Sequence, residues 1–100
     1  MTKPRYNHDD RRASILEAAY RAAGELGFNQ ISSQRVARAA GCSEALVRYH
    51  FDQTELRRAV MALAVQKEDL AILVQGLALR HPEALKASAA LRERAARTLL

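Results

Sequence analysis

Apolar residues recur along this chain at intervals of three and four, the spacing of a helix face, and nowhere alternate as they would along a strand. From Asp10 to Leu26, the positions Ile15, Leu16, Ala19, Ala22, Ala23 and Leu26 form one stripe. This predicts a first helix with Asp9 or Asp10 at its positive end and Gly27 as its stop, followed by Phe28 as an anchor that folds back. The run from Ile31 to Phe51 predicts two short helices joined by an Ala40-Gly41-Cys42 turn, a helix-turn-helix. Ser32 and Ser43 stand where hydroxyls can accept from the unpaired N–H groups of each first turn, and Gly41 suits the left-handed residue that closes a helix. On a helical wheel Val36, Ala37 and Ala40 share a face of the first helix, and Val47 and Phe51 a face of the second, so the pair can bury them together. Left outside on the second helix are Ala45, Leu46, Arg48, Tyr49 and, at the flank, His50.

Beyond this pair, Asp52-Gln53-Thr54-Glu55 has the form of a capping box, with Glu55 at the third helical position. The helix it starts is expected to run through Leu56, Val60, Leu63, Leu70, Val74 and Leu77, a near-heptad series interrupted by Lys67, with Gly76 as an early stop. His81-Pro82-Glu83 predicts a last helix, Pro82 to Leu100, because proline is tolerated in the first turn. The expected fold is all-α: a three-helix, homeodomain-like head followed by one long and one further helix. Its divisions are a flexible N-terminal arm at 1–9, the helix-turn-helix domain at 10–52, and a helical region at 53–100. Met61, Val65, Ile72 and Leu79 fall off the main stripe of the later helices, more apolar surface than a small head can cover, which points to self-association after residue 53.

The net charge of +5 over 100 residues favours a polyanionic partner without requiring one. Residues 1–58 hold ten Lys/Arg against seven acids, so the excess leans toward the helix-turn-helix half without forming a basic tract. Lys3 and Arg5 of the arm are candidates for the minor groove. The single cysteine excludes an internal disulfide framework and fits a reducing compartment; Cys42 reads as a structural thiol in the turn. Met1 to Asp10 is polar, and no uncharged apolar run approaches the roughly 20 residues a bilayer span needs, so a cytoplasmic protein with no membrane contact is expected. His8, His81 and Cys42 are too scattered for a zinc site. No nucleophile-base pair, carboxylate pair or glycine-rich phosphate loop is present, so neither a metal, a cofactor nor catalysis is expected.

A basic, aromatic and partly apolar helix face after a tight turn fits a DNA major groove. From Arg12 through Phe51 the chain resembles the DNA-binding domain of the TetR family of transcriptional regulators. The resemblance is carried by Ile15-Leu16-Glu17-Ala18-Ala19, Glu25-Leu26-Gly27-Phe28, Ser32-Ser33, Val36-Ala37, Ala39-Ala40-Gly41-Cys42-Ser43, Val47, His50 and Phe51. It implies a TetR-type DNA-binding head at 10–52 and, at 53–100, a partial helical dimerisation or ligand-binding region, with repression relieved by a small effector. It also implies that Ser33 meets a phosphate and Gln34 a base edge, that Glu44, Ala45 and Leu46 read bases, and that Arg48 and His50 touch phosphate. Arg38 and Tyr49 complete the candidate DNA-binding set. The implied partners are double-stranded DNA with a palindromic operator and a second copy of the chain.

Three departures from the family pattern stand out. Arg48 replaces the usual tyrosine, Thr54 replaces a lysine expected just after the recognition helix, and Leu56 follows Phe51 by five positions rather than six. The short junction is expected to turn the body by about 100° relative to the head unless the turn absorbs it. Most of the helices that build an effector pocket in the family would lie beyond Leu100. These departures support an alternative reading, a truncated protein-interaction module that pairs with a full-length relative without productive DNA binding.

Overall fold

The computed structural model describes residues 8–100, and the expected arm with Lys3 and Arg5 lies outside the described residues except at its end, where His8 and Asp9 already belong to a helix. The elements are α1 (His8–Leu26), a 3-10 turn (Phe28–Gln30), α2 (Ser33–Ala40), α3 (Glu44–His50), α4 (Gln53–Gln66), α5 (Leu70–Ala78), α6 (Pro82–Leu85) and α7 (Ala89–Arg97). No strand occurs among the described residues, and none of their helices is long and apolar enough to cross a membrane. The all-α class and the three-helix head are as expected.

The central element is α1, whose Ile15, Ala18, Ala19, Ala22 and Ala23 are all buried and which packs on α2, α4, α5 and the 3-10 turn. Alanine dominates this stripe, and its small side chain lets several helices approach one axis closely. Gly27, at φ 102°, turns the chain after α1 so that Phe28 folds back into the core with no exposed surface. Ser32 Oγ accepts from Arg35 N–H at 3.1 Å to start α2, and Gly41, at φ 69°, closes it. Ser43 Oγ accepts from Leu46 N–H at 3.1 Å to start α3, and Asp52 Oδ1 accepts from Glu55 N–H at 2.8 Å to start α4. Val36, Ala37, Val47 and Phe51 are buried as the wheel predicts. Despite the shortened junction, Leu56 is seated in the core, 1% exposed.

The body departs from expectation. The long helix predicted through Leu77 breaks after Gln66, where Glu68 takes a left-handed conformation (φ 53°) and Asp69 starts α5 by accepting from Ile72 N–H at 3.2 Å. The break is closed by Glu68 N–H on the Val65 carbonyl at 3.1 Å and Asp69 N–H on the Ala64 carbonyl at 2.8 Å, a Schellman motif without glycine. It resets the helical phase, so Ile72 and Leu73 occupy the core while Leu70, Val74 and Leu77 are only half-buried; ahead of the break, α4 buries Met61 and Ala64 and leaves Leu63 half-buried. Gly76 does not stop α5. It lies buried within it and admits α6, since a Cβ there would stand 2.9 Å from Ala84 Cβ and overlap the Met61 thioether. The last predicted helix is likewise two, α6 and α7, because Ser88 restarts the chain by accepting from Leu91 N–H at 3.1 Å.

These breaks fold the body back on α1 and α4. The apolar excess read from the sequence is thereby covered within the chain at Met61 and Ile72, partly covered at Val65, and left outside at Leu79. One hydrophobic cluster runs from Ile15 to Ala95, across the junction expected at residue 52.

Candidate nucleic-acid interface

The first turn of α2 carries Ser33, half-buried, and Gln34, exposed; its last turn carries the exposed Arg38. Two residues past Gly41, the Ser43 cap sets the start of α3. The cap fixes which side of this short helix turns inward: Val47 is fully buried, and Ala45, Arg48 and Tyr49, at spacings of three and four, face out. Tyr49 is 72% exposed, a large aromatic surface that folding leaves uncovered. Glu44 and Arg48, one turn apart, form an ion pair at 3.1 Å that keeps the guanidinium along the outer face. Leu46 was expected outside. It is half-buried and rests partly on the core, so only part of its side chain can reach a partner.

His50 is the clear correction. Expected at the flank of the exposed face, it is 6% exposed. The first turns of α1 cover it: the His8 ring lies 4.7 Å from the His50 ring, and Arg12 Nη1 donates to the His50 backbone carbonyl. Its Nδ1 is buried with no hydrogen-bond partner among the described residues. Burial, reinforced by His8, Arg12 and Arg11, holds the imidazole below the ordinary histidine range and so keeps it neutral. A neutral, covered imidazole is poorly suited to a phosphate.

The contacts that reading the sequence missed are those of His8 and Arg12. They lie four apart on α1 and so share a face, but nothing in their spacing says that the last turn of α3 lies beneath it. Thr54, where a lysine was expected, is exposed on the first turn of α4. Its neighbour Gln53 instead ties α4 to the start of α2, donating through Nε2 to the Ile31 carbonyl at 2.8 Å. Arg57 adds bonds to Asn29 Oδ1 at 3.3 Å and to the Asn29 carbonyl at 3.4 Å.

Two short helices joined through a left-handed glycine, packed on a third, with the last presenting a polar and aromatic face, constitute a helix-turn-helix. Residues 15–55 match the family model for bacterial regulatory proteins of the tetR family. The chain thus carries a TetR-family helix-turn-helix DNA-binding domain of the kind that serves transcription regulators. No curated protein and no solved structure matches the chain.

Proposed function

We propose that this protein is a sequence-specific, double-stranded DNA-binding repressor that reads the major groove with α3. The observation that carries this reading is the outer face of α3, where Ala45, Arg48 and Tyr49 stay exposed on a helix whose opposite side is locked into the core. Arg48 and Arg38 would meet phosphates and fix register, as would Ser33 at the start of α2. Gln34, Glu44, Ala45 and the accessible part of Leu46 would meet base edges: a carboxylate can accept from a cytosine amino group, and an apolar side chain can touch a thymine methyl. Tyr49 extends this surface. His50, covered by α1, is left out of the contact set.

A palindromic operator read by a homodimer completes the proposal, with half-sites about 34–36 Å apart or a multiple of that. Self-association no longer follows from uncovered core residues and rests on the operator geometry together with the exposed Leu79, Leu85, Leu99 and Leu100. A small-molecule effector would use an open groove, such as that of about 290 Å³ lined by Asp9, Arg12, Ala13, Leu16, Phe51 and Ala59. The test is selection of bound duplexes from a random DNA pool, followed by titration of the winner and of a scrambled duplex across salt concentrations. Enrichment of a palindrome, with a steep salt dependence and a preference well above the scrambled control, is expected. Equal binding of both duplexes sinks the reading and leaves the interaction module in its place.

A further inference from the structure

The end of α3 is held from outside the segment that matches the family model. Arg12, three residues before that segment, reaches from α1 to the C-terminal turn of α3 in two ways. Its Nη1 donates to the His50 carbonyl, and its guanidinium lies over the Phe51 ring, 3.9 Å from the centroid. The carbonyls of a helix's last turn have no partner within the helix and carry its negative end, so a guanidinium there both satisfies an acceptor and complements the dipole. The stacking on Phe51 fixes the direction of approach. One turn earlier, His8 covers the same place, its ring 4.7 Å from that of His50 and 5.9 Å from that of Tyr49. Helix α1 packs broadly on α2 and α4 and shares the core with Val47 and Phe51, and these side chains add a hold on the end of α3.

Helix α3 has seven residues and is seated by Val47 and by its packing on α2, so a hold on its C-terminal end bears on its tilt, and base readout depends on that tilt. We propose that Arg12 is a positioning residue for sequence recognition: it clamps the C-terminal end of α3 to α1 and sets the angle at which Ala45, Leu46 and Arg48 meet the groove. The proposal rests on the DNA-reading function above. It differs from a phosphate-contact role, because Nη1 donates to the protein's own His50 carbonyl and the guanidinium face lies over its own Phe51 ring.

The test uses the full chain, the duplex selected from the random pool by the wild-type protein, and a scrambled duplex of equal length and composition. Arg12→Met keeps the aliphatic stem and loses the donor and the charge; Arg12→Lys keeps the charge and loses the planar fork. Both are measured well below their melting temperatures, with helix content checked by circular dichroism. Discrimination between the duplexes is expected to fall roughly tenfold in Arg12→Met, about the worth of one base contact. Binding to the scrambled duplex and the salt slope are expected to stay at wild-type values. Arg12→Lys is expected to recover less than half of the loss. Without any DNA, amide exchange of the Arg48 to Phe51 amides is expected to quicken in Arg12→Met while that of α2 is unchanged. A salt slope lowered by about 1 with discrimination intact would make Arg12 a phosphate contact and overturn the proposal. So would a lower melting temperature with discrimination and exchange both unchanged. A wild-type chain that does not discriminate overturns the reading beneath it, which is visible before any variant is compared.

Discussion

At the scale of single residues, the outer face of α3 separates two kinds of contact that substitution can tell apart. Arg48→Ala removes a charge that touches no core residue, so it is expected to weaken binding to all duplexes alike and to lower the salt slope by about 1, measured by fluorescence anisotropy across a salt series. Leu46 touches the partner only with its outer part, so its replacement by alanine is expected to shift base preference by roughly 1 kcal/mol, at the low end of the range for a base contact. An unchanged preferred sequence in a repeated selection would remove Leu46 from the reading set. His50 makes a pH prediction. Burial lowers its pKa in the folded chain, and burial likewise lowers that of His81, whose Nδ1 accepts from Glu83 N–H at 3.1 Å at the start of α6. Above about pH 6.5 the imidazoles are neutral folded or unfolded. As pH falls through that value toward the lower folded values, the unfolded chain takes up protons that the folded chain refuses, so stability is lost on acidification. The urea midpoint is expected to fall between pH 7.5 and 5.5, and less steeply in His50→Gln; parallel pH profiles would refute the assignment to His50.

Individual elements are governed by their ends. Among the described residues, left-handed closures at Gly41, Glu68 and Arg80 end α2, α4 and α5, and only the first is a glycine. At Arg80 (φ 54°) the closure consists of Arg80 N–H on the Leu77 carbonyl at 3.0 Å and His81 N–H on the Gly76 carbonyl at 2.8 Å. A left-handed residue other than glycine costs on the order of 1 kcal/mol. Arg80→Gly is therefore expected to raise stability by up to about 1 kcal/mol in chemical denaturation. The reverse holds at Gly76, where an added methyl group meets Ala84 Cβ and Met61. The methionine end can move aside but the alanine cannot, so Gly76→Ala is expected to cost roughly 1–3 kcal/mol. If Gly76→Ala proved neutral, the close approach of α5 and α6 would be wrong. Ser32, Ser43 and Asp52 were legible beforehand because hydroxyl and carboxylate groups announce helix starts, whereas Asp69 and Ser88 stood within stretches whose apolar spacing continued a helix. The stops at Glu68 and Arg80 were not legible, because nothing local distinguishes a charged residue that continues a helix from one that ends it.

Across the whole molecule, the body and head are joined through α1. The Tyr20 hydroxyl donates to Asp69 Oδ2, which places the cap of α5 on the middle of α1; Lys67 lies over the Tyr20 ring at 4.7 Å and pairs with Glu17 at 3.8 Å. A second tie runs from Phe28 N–H to Gln75 Oε1 at 2.7 Å. Burial and the adjacent Asp69 carboxylate push the Tyr20 phenol up to about 12. Folding therefore favours the protonated phenol, a contribution present below about pH 10 and lost as pH rises toward the folded value. Absorbance titration at high pH is expected to show one tyrosine ionising late, together with loss of helix, and Tyr20→Phe is expected to abolish that late step. Late ionisation that persists in Tyr20→Phe would place the perturbed phenol elsewhere. Light scattering bears on the whole assembly: a dimer is expected, and a stable monomer at the concentration that binds DNA would remove the paired half-sites.

What the sequence determined by itself is local or periodic. The helices of the head, their serine and aspartate caps, the glycine turn and the inward set of Val36, Ala37, Val47 and Phe51 all follow from neighbours within one or two turns, where spacing dictates direction. The tertiary structure alone decided that His50 lies under α1, that Arg12 grips the end of α3, and that Met61 and Ile72 are covered by the chain's own later helices. The first two depend on the turns at Gly27 and Gly41 and the last on the breaks at Glu68 and Arg80, and a one-residue change in any of them turns every following side chain by about 100°. Contacts between residues 38 positions apart, as for Arg12 and His50, are therefore settled only once all the intervening turns are in place.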